Sequence, residues 1–211
     1  MCRFFETIRI TDGIPQYLHL HENRMNRTRN EIWGVVPSIS LERQLLVPLF
    51  FSKGTVRCKL VYDKEIKSVD FSFYQRKRIR SLMLVSCDTI DYHNKDLDRA
   101  SLERLLEQKE QCDEIIIVKN GFITDSSMAN LIFFDGKEWF TPAIPLLPGT
   151  CRERLLNSGL IHERKIKPAD LDCYLGVKLI NAMRYPEESE LIPNFRISSS
   201  GEYSIHSVVP H

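Results

Sequence analysis

The stretch from Val118 to Pro142, VKNGFITDSSMANLIFFDGKEWFTP, decides how this chain folds. Two runs rich in Ile and Phe flank a polar patch, Thr124-Asp125-Ser126-Ser127, with Asn130 close behind. Hairpins need polar residues at their turns, and Asn120-Gly121 and Asp135-Gly136 already fill that role. An acid and two serines therefore fall where a strand should be burying side chains. Turn chemistry does not account for them.

Outward from this stretch, DEIIIVKNG reads as a preceding strand and EWFTP as a following one. Upstream, DLDRASLERLLEQKEQ puts Leu102, Leu105 and Leu106 on one helical face. Downstream, the Pro-rich PAIPLLPG feeds a helix beginning near Cys151, CRERLLNSG. HERKIKPADLDCYLGVKLINAMR then predicts a strand, a short helix and an apolar strand, and NFRISSSGEYSIHS a closing hairpin or loop. At the other end, FFETIRITDGIPQYLHL predicts two strands around Thr11-Asp12-Gly13. HENRMNRTRNEIWG follows as a short polar helix. SISLERQLLVPLF predicts a helix capped by Ser38 or Ser40 and stopped by Pro48. GTVRCKLVYD and SVDFSFYQ alternate as strands. The class is α+β. Periodicity fails within SLMLVSCDTIDYHN, which places the boundary between a small N-terminal subdomain, 1–82, and a larger C-terminal one, 83–211.

Composition excludes several functions. The 211 residues are 43% hydrophobic, and 29 Lys plus Arg stand against 28 Asp plus Glu, a formal net charge of +1. That balance argues against a nucleic-acid partner and gives no reason to invoke an anionic membrane. No run approaches the roughly 20 apolar residues of a membrane span, and MCRFFETIRI lacks the apolar core of a signal peptide. A cytoplasmic protein is expected. None of the cysteines at 2, 58, 87, 112, 151 and 173 forms a C-x-x-C pair, so zinc and redox spacings are absent. His19 and His21 would share a face on a strand, but without carboxylate support no metal site is expected. The run QRKRIR, Gln75 to Arg80, reads as a solvated edge or linker before it reads as an address or a phosphate patch.

Three features ask for chemistry: Lys95 at an irregular junction, the Asp125 and Asn130 patch, and LPGTCRERLL, where a glycine precedes a helix start. A helix start offers free N–H groups and a positive dipole end to a phosphate. Taken singly, each has a plainer explanation: a surface lysine, a bent strand, a loop-to-helix joint. Taken in order, GFITDSSMANLIFFDGKEWFTPAIPLLPGTCRERLL resembles the class IV, or fold type IV, pyridoxal-phosphate enzymes. These include branched-chain and D-amino-acid aminotransferases and aminodeoxychorismate lyase. FFETIRI resembles the family's Phe-Glu-x-x-Arg strand and HENRM its His-x-x-Arg-Leu element. NKDLDR and LINAM resemble the lysine segment and the Asn-Ala phosphate loop of the lyase branch.

The resemblance implies a fold type IV architecture, a small α/β subdomain joined to a larger β-barrel-like one, and pyridoxal 5'-phosphate as cofactor. It implies Lys95 as the Schiff-base lysine and proton carrier. Asp125 would face the pyridine nitrogen. Arg24 would clamp the phosphate, joined by the backbone of Thr150 and Cys151 at the helix start and by Asn181-Ala182. Arg57 is a candidate for a substrate carboxylate. A cytoplasmic homodimer acting on a small molecule is implied, with folate synthesis as setting if the reaction is the lyase one: 4-amino-4-deoxychorismate to 4-aminobenzoate and pyruvate. Alternatives are an amino-acid aminotransferase and a non-catalytic relative that keeps the fold. The chain departs from the pattern in three places. Asp125 replaces the usual Glu, Thr150-Cys151 replaces Ile-Thr or Val-Thr, and the segment preceding the Phe-Glu strand in relatives is missing.

Overall fold

The computed structural model describes residues 2–199, which form two compact units. The first comprises residues up to Arg76 together with Asn94–Asp98, and the second Lys77–His93 with the chain from Arg99 onward. The division therefore falls at Arg76 rather than after residue 82, and the segment carrying Lys95 belongs with the first unit. Both units mix helix and sheet, the α+β class expected.

The first unit is an antiparallel sheet, in the order β2-β1-β3-β4, backed by a helix. β1 (Phe4–Thr11) pairs with β3 (Thr55–Tyr62) along its whole length, and β3 with β4 (Ile66–Phe73). Side chains alternate between faces. Phe4, Ile8, Ile10, Val56, Cys58, Leu60 and Tyr62 lie on one face, in a core shared with Met25 of α1 (Leu18–Trp33). The second hairpin strand expected from IPQYLHL is only two residues long, β2 (Ile14–Pro15). Proline removes a ladder donor, Tyr17 turns the chain at φ 50°, and the helix begins at Leu18. His19 and His21 thus sit on a helix, two residues apart and on different faces; His19 is exposed and His21 buried. The helix expected in SISLERQLLVPLF shortens to α2 (Leu41–Gln44). Pro48 does not stop it but opens a single 3-10 turn, Leu49–Phe51.

The second unit stacks two sheets. One runs β13-β5-β6-β7, the other β10-β9-β8-β11-β12. Its strands are β5 (Leu82–Ser86), β6 (Glu114–Lys119), β7 (Phe122–Ile123), β8 (Asn130–Phe134), β9 (Trp139–Pro142), β10 (His162–Arg164), β11 (Gly176–Ile180), β12 (Ile192–Pro193) and β13 (Ile197–Ser199). Period two decides what each residue meets. Leu82, Leu84, Ile116 and Val118 join Leu131, Phe133, Val177 and Leu179 in the core between the sheets. Met83, Val85, Ile115 and Ile117 face the other way, onto Leu102 and Leu105 of α3 (Ala100–Leu106). Ile132 and Ile180 face Cys151 and Leu155 of α4 (Thr150–Asn157). The short helix after Lys167 is a 3-10 segment, Pro168–Cys173. The tail gives β13, parallel to β5; the rest of the expected closing hairpin lies outside the described residues.

The part of the basic run that lies in the second unit, residues 77–80, is absorbed structurally. Arg78 pairs with Glu190 at 3.1 Å, the Arg80 N–H donates to Asp113, and the Lys77 carbonyl accepts from the Arg184 guanidinium.

Candidate active site

The polar patch of the opening stretch is a tight loop rather than a strand interior. β7 ends at Ile123, β8 starts at Asn130, and an isolated bridge between Asp125 and Asn130 closes the loop. Its residues are buried, so every backbone group needs a partner. Ser126 supplies several: its Oγ accepts from the N–H groups of Met128 and Ala129, and its own N–H donates to the Ala129 carbonyl. The Ser127 N–H donates to buried Glu114, and the Ser127 carbonyl accepts from Arg99 Nη2 at 2.7 Å. Thr124 Oγ1 donates to the Ile117 carbonyl. Thr and Ser are there to satisfy a buried turn.

Asp125 differs from them. Asn130 Nδ2 donates to its Oδ1 at 2.8 Å and the Leu147 N–H to its Oδ2 at 2.9 Å. Asn130 Nδ2 also reaches the Leu147 carbonyl, so one residue of the Pro-rich loop is held at both its N–H and its C=O. Burial pushes the Asp125 carboxyl up to about 6, against the opposing pull of those hydrogen bonds and of Arg152. The loop then passes so close to Asn130 that a Cβ on Gly149 would lie 2.0 Å from Asn130 Oδ1. Only glycine fits there.

Gly149 leads directly into α4. The first helical N–H groups have no intrahelical acceptor, and no side chain caps this end. Arg152, in the first turn, fixes the helix start from behind. Its Nε donates to Thr141 Oγ1, and its Nη2 donates to the Pro142 carbonyl and to Glu163 at 2.6 Å. The Thr-Pro pair and the leading arginine of the helix are thus one clamp. Asn181 Nδ2 donates to the Met128 carbonyl, its Oδ1 accepts from Met183 N–H, and its backbone closes a turn with Arg184. Its polar groups hold the turn in which Ala182 sits.

In the first unit, two backbone hydrogen bonds hold the lysine segment to the start of β1. The Phe5 N–H donates to the Lys95 carbonyl at 3.0 Å and the Leu97 N–H donates to the Arg3 carbonyl, which makes Phe4 and Asp96 an antiparallel bridge. Thr28 of α1 donates its hydroxyl to Asn94. Lys95 is half-buried, with Nζ 4.6 Å from the centre of the Phe5 ring. On the opposite face of β1, Glu6 is fully buried and accepts from Arg24 Nε at 2.8 Å, from Arg24 Nη2 and from His21 Nδ1 at 2.7 Å. Burial alone would raise the Glu6 carboxyl, but Arg24 and His21 outweigh it and bring it down to about 2. Burial holds the His21 imidazole below its ordinary value despite Glu6, so the ring is neutral with Nδ1–H as donor. Arg57 is exposed on β3, directly across from Arg9.

With this geometry in place, the relatives can be set beside it. A family model for amino-transferase class IV matches residues 74–185. An uncharacterized protein of Haemophilus influenzae is 40% identical over 185 residues, covering 87% of this chain and 98% of that one. The chain belongs to the class IV aminotransferase family. A crystal structure from Haemophilus somnus, named "putative 4-amino-4-deoxychorismate lyase", is 35% identical and superposes with a TM-score of 0.81 over 88% of this chain and 98% of its own. A hypothetical aminotransferase of Mycobacterium tuberculosis in its PLP-bound form shares the fold at a TM-score of 0.73 and 17% identity, over 94% of this chain and 81% of that one.

Class IV aminotransferases and their lyase relatives are pyridoxal-phosphate enzymes, and the donor set here suits that cofactor. An uncapped helix start follows a glycine that admits no side chain, and a buried acid has a pKa raised toward neutrality. Those are the groups that a phosphate and a basic ring nitrogen would require. Among the described residues no cluster of His, Cys, Asp and Glu could hold a metal, and no helix is long and apolar enough to cross a membrane. Glu6 is not among the residues singled out in the sequence, and His21 is so only as a metal candidate, although both lie within motifs quoted there. The signal was there: His21 and Arg24 are i, i+3 on a helix, which puts both over one acid.

Proposed function

We propose that this class IV enzyme is a lyase of the aminodeoxychorismate type, eliminating pyruvate from 4-amino-4-deoxychorismate to leave 4-aminobenzoate. The observation that carries this reading is the 35% identity to the Haemophilus somnus protein across 88% of the chain. The lyase-like segments NKDLDR and LINAM support it, as does a stretch of 53 residues that is 38% identical to a Schizosaccharomyces pombe protein named "Putative aminodeoxychorismate lyase", 24% of this chain and 23% of that one.

In this reading Lys95 Nζ would hold the cofactor and would serve as base for the α-proton of the substrate and as proton donor to the departing pyruvate unit. Asp125 would answer the ring nitrogen. The N–H groups of Thr150 and Cys151, with the Asn181-Ala182 turn, would receive the phosphate, and Arg24 would contribute a guanidinium that Glu6 holds in place. When bound, pyridoxal phosphate supplies an electron sink for the charge that develops on the substrate carbon. The protein's share is to move the proton and to keep the acid and the phosphate donors fixed. The enzyme works as a cytoplasmic homodimer in the supply of 4-aminobenzoate for folate. Exposed Leu49, Phe50 and Phe73, an apolar patch on the first unit, support self-association. Light scattering should then give twice the chain mass.

The second reading is an amino-acid aminotransferase, which Arg57 across from Arg9 favours, since two arginines at opposed positions on one sheet face suit a carboxylate. The third, a non-catalytic relative, predicts no turnover of either kind. One experiment separates them. The purified holoprotein is given 4-amino-4-deoxychorismate, or an amino acid with a 2-oxo acid, and 4-aminobenzoate, pyruvate and new amino acid are quantified. Borohydride reduction followed by peptide mass mapping should place the cofactor on Lys95, and Lys95→Ala should lose that adduct entirely. Recovery of the adduct on Lys109 or Lys119 would end the assignment.

A further inference from the structure

Lys95 does not have the Phe5 ring to itself. On β1 and β3, Phe5 stands across from Val61 and Thr7 across from Lys59. Phe5 and Lys59 are therefore diagonal neighbours on one face of the sheet. Lys59 Nζ lies 5.4 Å from the centre of the Phe5 ring and Lys95 Nζ 4.6 Å. Both side chains are half-buried, and the two ammonium groups are no farther apart than about one Debye length at 0.1 M salt. The carboxylate nearest Lys59 along the sheet, Asp70 on β4, accepts from Ser68 Oγ at 3.1 Å. The other charged groups around Lys95 are mixed. His21 and Arg24 on α1 are held by Glu6, Asp96 and Asp98 flank the lysine on its own segment, and Arg9 and Arg57 continue the face that carries Lys59.

We infer that Lys59 is a positioning residue for Lys95, a second ammonium set against the same ring that keeps the Lys95 amine toward its neutral, proton-accepting form. Two effects act in the same direction. Like charges repel, which disfavours the protonated amine. A single aromatic ring shared between two cations also favours each less than it would favour one alone. Removing Lys59 removes the repulsion and leaves the ring to Lys95. Lys59 lies in none of the segments that resemble the family. The inference rests on the reading of Lys95 as the cofactor lysine, since only a lysine with that duty needs a neutral amine.

The test uses the full chain freed of cofactor, labelled with trace acetic anhydride across pH 7 to 11, with the Lys95 peptide quantified by mass spectrometry. Lys59→Met keeps the aliphatic stem and loses the charge; it should raise the labelling midpoint of Lys95 by roughly half a unit to one unit. Lys59→Arg keeps the charge and should leave the midpoint where it was. The difference between wild type and Lys59→Met should shrink in 1 M salt, where charge interactions are screened. An unmoved midpoint in Lys59→Met, or an equal rise in Lys59→Arg, would overturn the inference. Failure of the parent reading shows differently: borohydride mapping would find the cofactor on another lysine, whatever the midpoint of Lys95 does.

Discussion

Glu6 and Asp125 are both fully buried carboxylates, yet the protein drives them in opposite directions. Glu6 sits against a guanidinium and an imidazole, and falls to about 2. Asp125 receives a peptide N–H and a carboxamide, with Arg152 acting only from a distance, and rises to about 6. Burial is the same for both, so the difference lies in the partners. An acid with a cation at hydrogen-bonding distance is a fixed structural ion. An acid held only by neutral donors keeps a proton affinity near the working pH, as a group with chemical duties requires.

The largest test of that contrast is Glu6→Gln. It leaves Arg24 buried without its counter-charge, and denaturant unfolding should show a loss of about 3–5 kcal/mol. A loss below about 1 kcal/mol would mean that Glu6 is no more than a hydrogen-bond acceptor. Next comes Asp125→Asn. It should still bind cofactor, but turnover should fall by about a hundredfold or more, about 2.7 kcal/mol of barrier. Undiminished turnover would make Asp125 structural too.

The two acids also predict opposite acid–base signatures in the cofactor-free protein. The folded-state pKa of Glu6 is depressed, so its contribution is present above about 4.5 and is lost as pH falls toward about 2. That of Asp125 is raised, so the folded state binds the proton more tightly, and stability is lost as pH rises from 3.8 toward about 6. Relative to wild type, Asp125→Asn should gain up to about 1.4 kcal/mol per pH unit across that second window. Any hydrogen bond the amide fails to make costs the same at every pH, so the slope isolates the charge. A flat difference would deny that Asp125 titrates there. The smallest effect is expected from Asp125→Glu, which restores the acid that relatives use. It should keep turnover within about tenfold of wild type, about 1.4 kcal/mol; a larger loss would mean the loop has closed around the shorter side chain.

What the sequence made legible follows the physics of each element. Strands with clean alternation, such as GTVRCKLVYD and SVDFSFYQ, are where the periodicity puts them. The start of α1 was hidden because Tyr17, in a left-handed conformation, stands where a Ser, Thr, Asp or Asn cap would have announced it. The patch residues were conspicuous but their division of labour was not. Ser126 satisfies the buried turn locally, through Met128 and Ala129, but Thr124 and Ser127 do so through Ile117, Glu114 and Arg99, and no spacing rule connects those partners. The spacing of His21 and Arg24 announces a shared acid but does not name Glu6, and Lys59 with Lys95 is legible only once β1 and β3 are paired and the lysine segment is docked on β1.

The placement of Asn94–Asp98 bears on the order in which the chain folds. The segment lies in the crossover from β5 to β6, yet its backbone hydrogen-bonds to Arg3 and Phe5 at the start of β1. The early sheet and helix can assemble as soon as β4 has been synthesised, since their pairing partners all lie before Tyr74. The lysine segment must wait until nearly half the chain exists, and docking it closes a long loop with a loop-closure entropy of several kcal/mol. In a chain leaving the ribosome, the reactive amine is thus among the last parts of the first unit to be seated. A pause or a truncation between Phe73 and Asn94 would release a sheet that is folded and has no lysine segment docked on it.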